Sequence, residues 1–252
     1  MLRAVVLLAV LAPLPVLAQS ADSGGGSRLA FTFGAGIEAV PGYFGSDELA
    51  PGFDLSLRAP FLSFGGVRLG RDDAAARSQG LGFRGSFRYV PERNGEEYEE
   101  LAGLPEIDTS FELGGGLSYA QPGWEAFAVA RYGLGGHESW VGELGLNLVA
   151  QPTERLGFRA GPRVLFGSED YADTYFSVPD GTPGFEGFDA EGGLLSAGIE
   201  AVSTYALTES WGLRGRIRYE RLLNDAADSP ITQEDDQFTA SLLVTRRFVF
   251  EF

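Results

Sequence analysis

The chain has 252 residues, no cysteine, one histidine and no lysine, so that all 19 basic residues are arginines. Without cysteine there is no disulfide and no thiolate metal site, and a single histidine leaves no cluster with metal-ligand spacing. Nothing after the first twenty residues approaches the roughly 20 apolar residues that a membrane helix needs. Acids outnumber bases 35 to 19, for a formal charge of −16. With no basic tract to neutralise phosphates, a nucleic-acid partner is excluded. Phe33-Gly-Ala-Gly36 is followed by no helical pattern, so it is not a nucleotide loop, and no cofactor is expected.

What the sequence does hold is alternation. In Trp211–Arg221 the odd positions Trp211, Leu213, Ile217 and Tyr219 are apolar and the even positions Arg214, Arg216, Arg218 and Glu220 are charged. A period of two gives a strand one greasy and one ionic face. From Phe238 onward, Phe238, Ala240, Leu242, Val244, Phe248, Phe250 and Phe252 share a face. Such a strand suits lipid on its apolar side and an aromatic girdle at the interface. A chain that crosses a membrane in strands must close, because open edges leave backbone groups unsatisfied in lipid. The expectation is therefore an antiparallel transmembrane β-barrel over residues 28–252. Phe248, Phe250 and Phe252 form its membrane-assembly end, to be met by the barrel-assembly machinery.

Residues 1–18 read as a secretory signal: Arg3, an apolar run to Leu11, then Val16-Leu17-Ala18 with cleavage after Ala18. Residues 19–27, rich in Ser and Gly, read as a flexible lead-in. Strand patterns follow at Arg28–Val40, Phe53–Val67 (bent at Pro60), Leu81–Tyr89, Ile107–Tyr119, Trp124–Tyr132, Trp140–Val149, Leu156–Phe166, Gly193–Leu207 and the two already given. From residue 91 onward, short connections (Gln121–Gly123, Gln151–Thr153, Thr208–Ser210) alternate with longer ones, as short periplasmic turns alternate with outer loops. The count is ten strands if 53–70 is one bent strand and twelve if it folds into extra crossings. Acids concentrate in the expected loops around Glu96–Glu100, Glu169–Asp173 and Asp225–Asp236, where divalent cations would bridge to lipopolysaccharide.

This phasing points Arg84, Arg88, Arg131, Arg155, Arg159, Arg163, Arg214, Arg216 and Arg218 inward. Glu38, Asp108, Glu112, Glu125, Glu143, Glu200 and Glu220 share that side. Guanidinium and carboxylate forks would pair and fill a narrow lumen. The other reading of the same ladder is a narrow channel that favours anions. His137 lies in a connection with Ser139 two residues on and Glu138 and Glu143 near in sequence. A base and its nucleophile must lie within about 3 Å, and short-loop neighbours rarely align so. His137 is expected to be an exposed loop residue, and the protein to be no enzyme.

Three segments carry a resemblance. Gly34–Asp47 runs a glycine-rich strand into Pro41-Gly-Tyr43-Phe-Gly45-Ser46-Asp47. Tyr171-Ala-Asp-Thr-Tyr175-Phe176-Ser-Val178 is a second. Tyr219-Glu-Arg221-Leu-Leu-Asn-Asp225-Ala-Ala-Asp228-Ser229-Pro230-Ile231 is the most specific. Together they resemble the MltA-interacting protein (MipA)/OmpV family of Gram-negative outer-membrane barrels, with Ser177 where that family usually has glycine. The resemblance implies a non-enzymatic scaffold that brings a murein lytic transglycosylase to a peptidoglycan synthase. It also leaves open an adhesin, with Ser168–Glu191 as the binding loop, and it supplies no catalytic residues.

Overall fold

The computed structural model describes residues 27–64, 67–69, 79–95 and 97–251. The proposed signal segment, nearly all of the lead-in, and Phe252 lie outside these residues. Among the described residues eleven strands form one antiparallel sheet. They are β1 (Arg28–Pro41), β2 (Leu49–Phe64), β3 (Val67–Leu69), β4 (Gly80–Val90), β5 (Ser110–Gln121) and β6 (Trp124–Leu134), then β7 (Trp140–Ala150), β8 (Leu156–Gly167), β9 (Gly193–Ala206), β10 (Trp211–Leu222) and β11 (Asp236–Glu251). Helices α1 (Glu169–Phe176) and α2 (Asp225–Asp228) sit in the last two long connections.

Each strand from β4 to β11 pairs with its neighbours in sequence, and β11 then pairs with β1 from Arg28↔Glu251 to Ala39↔Ala240. Joining the first strand to the last is what curls a meander into a barrel. β3 is only three residues long and pairs with the end of β2, so the described residues hold ten long strands and one short one. The bend expected at Pro60 is a slip in the β1–β2 ladder between Ala30 and Thr32, opposite that proline, which has no N–H to give.

The pleat sorts the side chains as alternation predicts. Ile37, Phe53, Phe83, Leu117, Leu148, Ile199, Ile217 and Leu242 face outward and exposed, while acids and arginines face in. Aromatic residues mark both rims. Tyr119, Trp124, Tyr205 and Trp211 lie at the short-turn end; Tyr89, Phe111, Tyr132, Trp140 and Tyr219 lie at the other. The nine residues from Trp124 to Tyr132 rise roughly 27 Å along the strand, close after tilting to the ~25 Å of an outer-membrane apolar band. The molecule is an outer-membrane β-barrel. The short turns, the start of β1 and the end of β11 lie together at one end of the barrel, and the long connections lie at the other.

Several boundaries differ from the sequence reading. β2 begins at Leu49 rather than Phe53, because Pro51 sits at the strand start opposite Ala39, where proline is tolerated. β5 begins at Ser110, which leaves Asp108 exposed in the preceding loop and outside the lumen. Arg155 is likewise exposed, in the turn before β8. The Ser168–Glu191 segment contains α1, whose first turn is capped by Ser168 accepting from the Tyr171 N–H at 3.4 Å, with Glu169 and Asp170 beside it.

Candidate functional site

Inside the barrel, strand pleat and register turn the charge ladder into three clusters of ion pairs among the described residues. Glu143 of β7 receives Arg218 at 3.4 Å, Arg131 at 3.7 Å and Arg163 at 3.7 Å. Arg163 also reaches Glu200 at 3.0 Å and donates to Asn147 Oδ1 at 2.7 Å. Arg131 binds Glu112 at 2.7 Å, and Arg218 pairs with Glu220. On the β1–β2 wall, Arg216 bridges Glu38 at 3.1 Å and Asp54 at 3.0 Å, and Ser241 donates to Asp54 at 2.7 Å. Glu125, nearer the short-turn end, holds Arg84 at 3.5 Å and Arg159 at 3.6 Å, and Arg84 also stacks 4.0 Å from the centre of Phe127.

Asp108 and Arg155 apart, the candidates of the lumen set face into the barrel. Arg88 and Arg214 differ from the rest: among the described residues neither has a carboxylate within ion-pair distance. Asp54 and Asn147 are members that the sequence reading passed over. Asp54 was legible, since Phe53-Asp54-Leu55-Ser56-Leu57 alternates as the other strands do.

The family-motif residues come together at the opposite end from the termini. Gly45 O accepts from the N–H groups of Gln233 and Glu234, at 2.8 and 3.0 Å, and Gln237 clasps Ser46 O and Gly45 N at 3.2 Å each. Ser229 donates to Phe176 O, tying the β10–β11 loop to α1. Phe44 meets Tyr175 edge to face at 4.8 Å. Tyr43, Tyr171, Tyr175, Phe176, Val178 and Ile231 are buried in this cap, whereas Asp47, Arg221, Asp228 and Pro230 are exposed. Arg221 pairs at the surface with Asp235, Asp225 accepts from Glu191 N–H, and Pro41 closes β1. Three segments far apart in sequence thus build one plug over the outer mouth.

Three cap groups show how tightly the cap is sealed. Arg93, unremarked in the sequence, is buried and donates to Tyr175 O at 2.9 Å. Burial pulls its pKa down to about 10. Burial also pushes the Tyr175 phenol up, to about 12, and raises Tyr43, helped there by the neighbouring Glu100 carboxylate.

His137 corrects the expectation of an exposed loop residue, since it is buried. Gly135, Gly136 and Glu138 all take positive φ, which folds the β6–β7 connection back into the mouth. Its Nδ1 lies 2.8 Å from Ser139 Oγ, its Nε2 lies 3.5 Å from Glu112, and Tyr171 packs on the ring at 4.9 Å. Serine, histidine and glutamate in contact are the parts of an acyl-transfer site. Here Glu112 is fully buried, Ser139 is 2% exposed, and neither borders the lumen cavity. This group is a lock between strand wall and cap, with no room for a substrate.

Residues 33–248 match the family described as MltA-interacting protein MipA. The chain belongs to that family. The match runs from β1 to β11 and takes in the lumen network and the whole described cap. A comparison with curated proteins returns no match. Among solved structures, an outer membrane channel from Pseudomonas putida F1 is similar at 12% identity and a TM-score of 0.42, over 92% of this chain and 100% of that one. Neisserial surface protein A is similar at 12% identity and 0.29, over 89% and 99%. The Ralstonia pickettii toluene transporter TbuX gives 10% identity and 0.29, over 91% and 90%.

Proposed function

We propose that this barrel acts as a membrane-embedded scaffold, holding a murein lytic transglycosylase and a peptidoglycan synthase at the inner face of the outer membrane. The carrying observation is the closure of the lumen: ion pairs converge on Glu143 from three strands, and the cap covers the outer mouth. A lumen bridged and capped in this way favours work at its surfaces. On the periplasmic side the turns are stiff. Thr153 Oγ1 accepts from Leu156 N–H at 3.0 Å, Thr208 Oγ1 accepts from Trp211 N–H at 3.0 Å, and Gly123 takes positive φ after Pro122. Rigid, exposed turns lose little freedom on docking, which favours a protein partner. The family's own description, an MltA-interacting protein, points to that class of partner. A role for bound lipopolysaccharide and for the assembly machinery belongs to the same reading.

The test has two arms. The folded barrel in a planar bilayer should be silent, and it should retain murein enzymes from a periplasmic extract. Replacing the three turns by Gly-Ser linkers of equal length should abolish retention while heat-modifiable gel migration persists. Steady openings whose ion preference changes in Arg216→Gln would overturn the scaffold in favour of a diffusion channel. Retention of a surface ligand that depends on 168–191 alone would favour an adhesin.

A further inference from the structure

The ring of hydrogen-bonded strands has one seam. Among the described residues β4 pairs with β5 alone, and from Leu49 to Leu57 β2 pairs with β1 alone. β2 and β4 nonetheless lie side by side, with Cα atoms within 8 Å. Paired antiparallel strands stand about 4.5–5.5 Å apart. The barrel wall is thus in contact but unladdered here, in its outer half.

A cavity of about 240 Å³ lies beneath the cap, and its lining crosses this seam. It is bordered by inward-facing Arg88 and Ser86 and also by Phe53, Leu55, Phe87 and Tyr89, which belong to the outward, lipid-facing set of β2 and β4. A closed wall would separate those two sets. On the outer face, Gly85 leaves a notch between Phe83 and Phe87, since a Cβ there would meet nothing within 4 Å. Just inside, Arg88 has no ion-pair partner among the described residues, and its guanidinium lies 5.2 Å from the centre of the Phe44 ring. Arg88 lies in the field of Glu112 and Glu220 but has no carboxylate in contact, so that a cation with free hydrogen-bonding capacity stands behind an apolar slot.

We propose that the β2–β4 seam is a lateral portal that binds a membrane lipid with an anionic phosphate headgroup. The headgroup sits on Arg88 in the lumen, and the acyl chain passes out between Phe53, Leu55, Phe87 and Tyr89. A phosphate oxygen would accept the charge-assisted bonds that Arg88 lacks. The lipid comes from the outer leaflet, because the cavity crosses the seam at Phe53, Leu55, Phe87 and Tyr89, beneath the cap. The proposal does not depend on the scaffold reading.

The experiment is native mass spectrometry of the full chain, folded in neutral detergent, with phosphatidylglycerol or phosphatidylcholine of matched chains. Phosphatidylglycerol is expected to be retained at least tenfold over phosphatidylcholine. Arg88→Gln should erase that preference, and Arg88→Lys should keep most of it. Gly85→Trp fills the notch from the lipid side without changing charge, and it should lower retention of both lipids. Glycerol 3-phosphate added in excess should not displace the bound lipid, because the acyl chain supplies part of the binding. Equal retention of the two lipids by the wild type would overturn the proposal, as would retention unchanged in folded Gly85→Trp. Displacement by glycerol 3-phosphate alone would reduce the site to an anion pocket and overturn the portal.

Discussion

Glu112 of β5 and Arg131 of β6 lie 2.7 Å apart, with side chains 0% and 4% exposed, where the ion-pair network meets the cap. The same carboxylate faces His137 on its other oxygen. One residue therefore joins the strand wall to the plug.

Glu112→Gln should destabilise the folded barrel, by up to roughly 3–5 kcal/mol, because it leaves the buried Arg131 charge with Glu143 alone, at 3.7 Å. Replacing both partners with apolar residues of similar volume should cost markedly less than either single change. Urea titration of heat-modifiable migration in lipid vesicles measures both; equal losses would show that the pair is not electrostatically coupled.

Gly133 lies directly under the His137 ring, so that a Cβ at this position would collide with it. Gly133→Ala should expel the imidazole and loosen the cap, seen as faster protease cleavage in 168–191 with the strands intact. Ser139→Ala should cost about 1–3 kcal/mol through the lost hydrogen bond. A fluorophosphonate probe should leave Ser139 unlabelled in the folded protein; labelling would reveal an accessible nucleophile.

The Tyr175 phenol, with its pKa pushed to about 12, gives the cap an alkaline limit. The folded state keeps a proton that the unfolded loop releases near pH 10, so stability is full below pH 10 and falls as the pH rises to 12. The loss should amount to roughly 2–3 kcal/mol at most. Protease sensitivity of the cap, followed against pH in wild type and Tyr175→Phe, checks the sign. The variant should lose less between pH 10 and 12.

Arg93 crosses the cap to Tyr175 O at 2.9 Å, spanning 82 residues of sequence. Arg93→Ala should leave that carbonyl unsatisfied and weaken the cap by about 1.5–3 kcal/mol. Hydrogen exchange in α1 should rise while exchange in β5–β8 stays slow. Uniform loosening of the whole barrel would contradict a tether confined to the cap.

Strand directions, the two faces and the inward set of charges were legible from a single sequence, because a strand repeats every two residues and lipid demands an apolar face. Trp211–Arg221 shows both faces in eleven residues. The partners of those charges were not legible. Arg216 bonds Glu38 across 178 positions, and only closure of β11 on β1 brings them together. The cap was hidden for a similar reason. Phe44, Tyr175 and Ile231 read as loop residues because no periodicity marks them, and their burial arises where separate loops converge over one mouth.

Sequence by itself determined that this protein crosses a membrane as a barrel, since alternation and the missing apolar helix leave no other way to satisfy its backbone in lipid. The motifs in Gly34–Asp47, Tyr171–Val178 and Tyr219–Ile231 carried the family. Tertiary structure alone decided that the lumen is bridged, that His137 turns inward, and that β2 and β4 meet without a ladder. Each of these depends on distances between residues far apart in the chain, which are set by register and closure and leave no local trace.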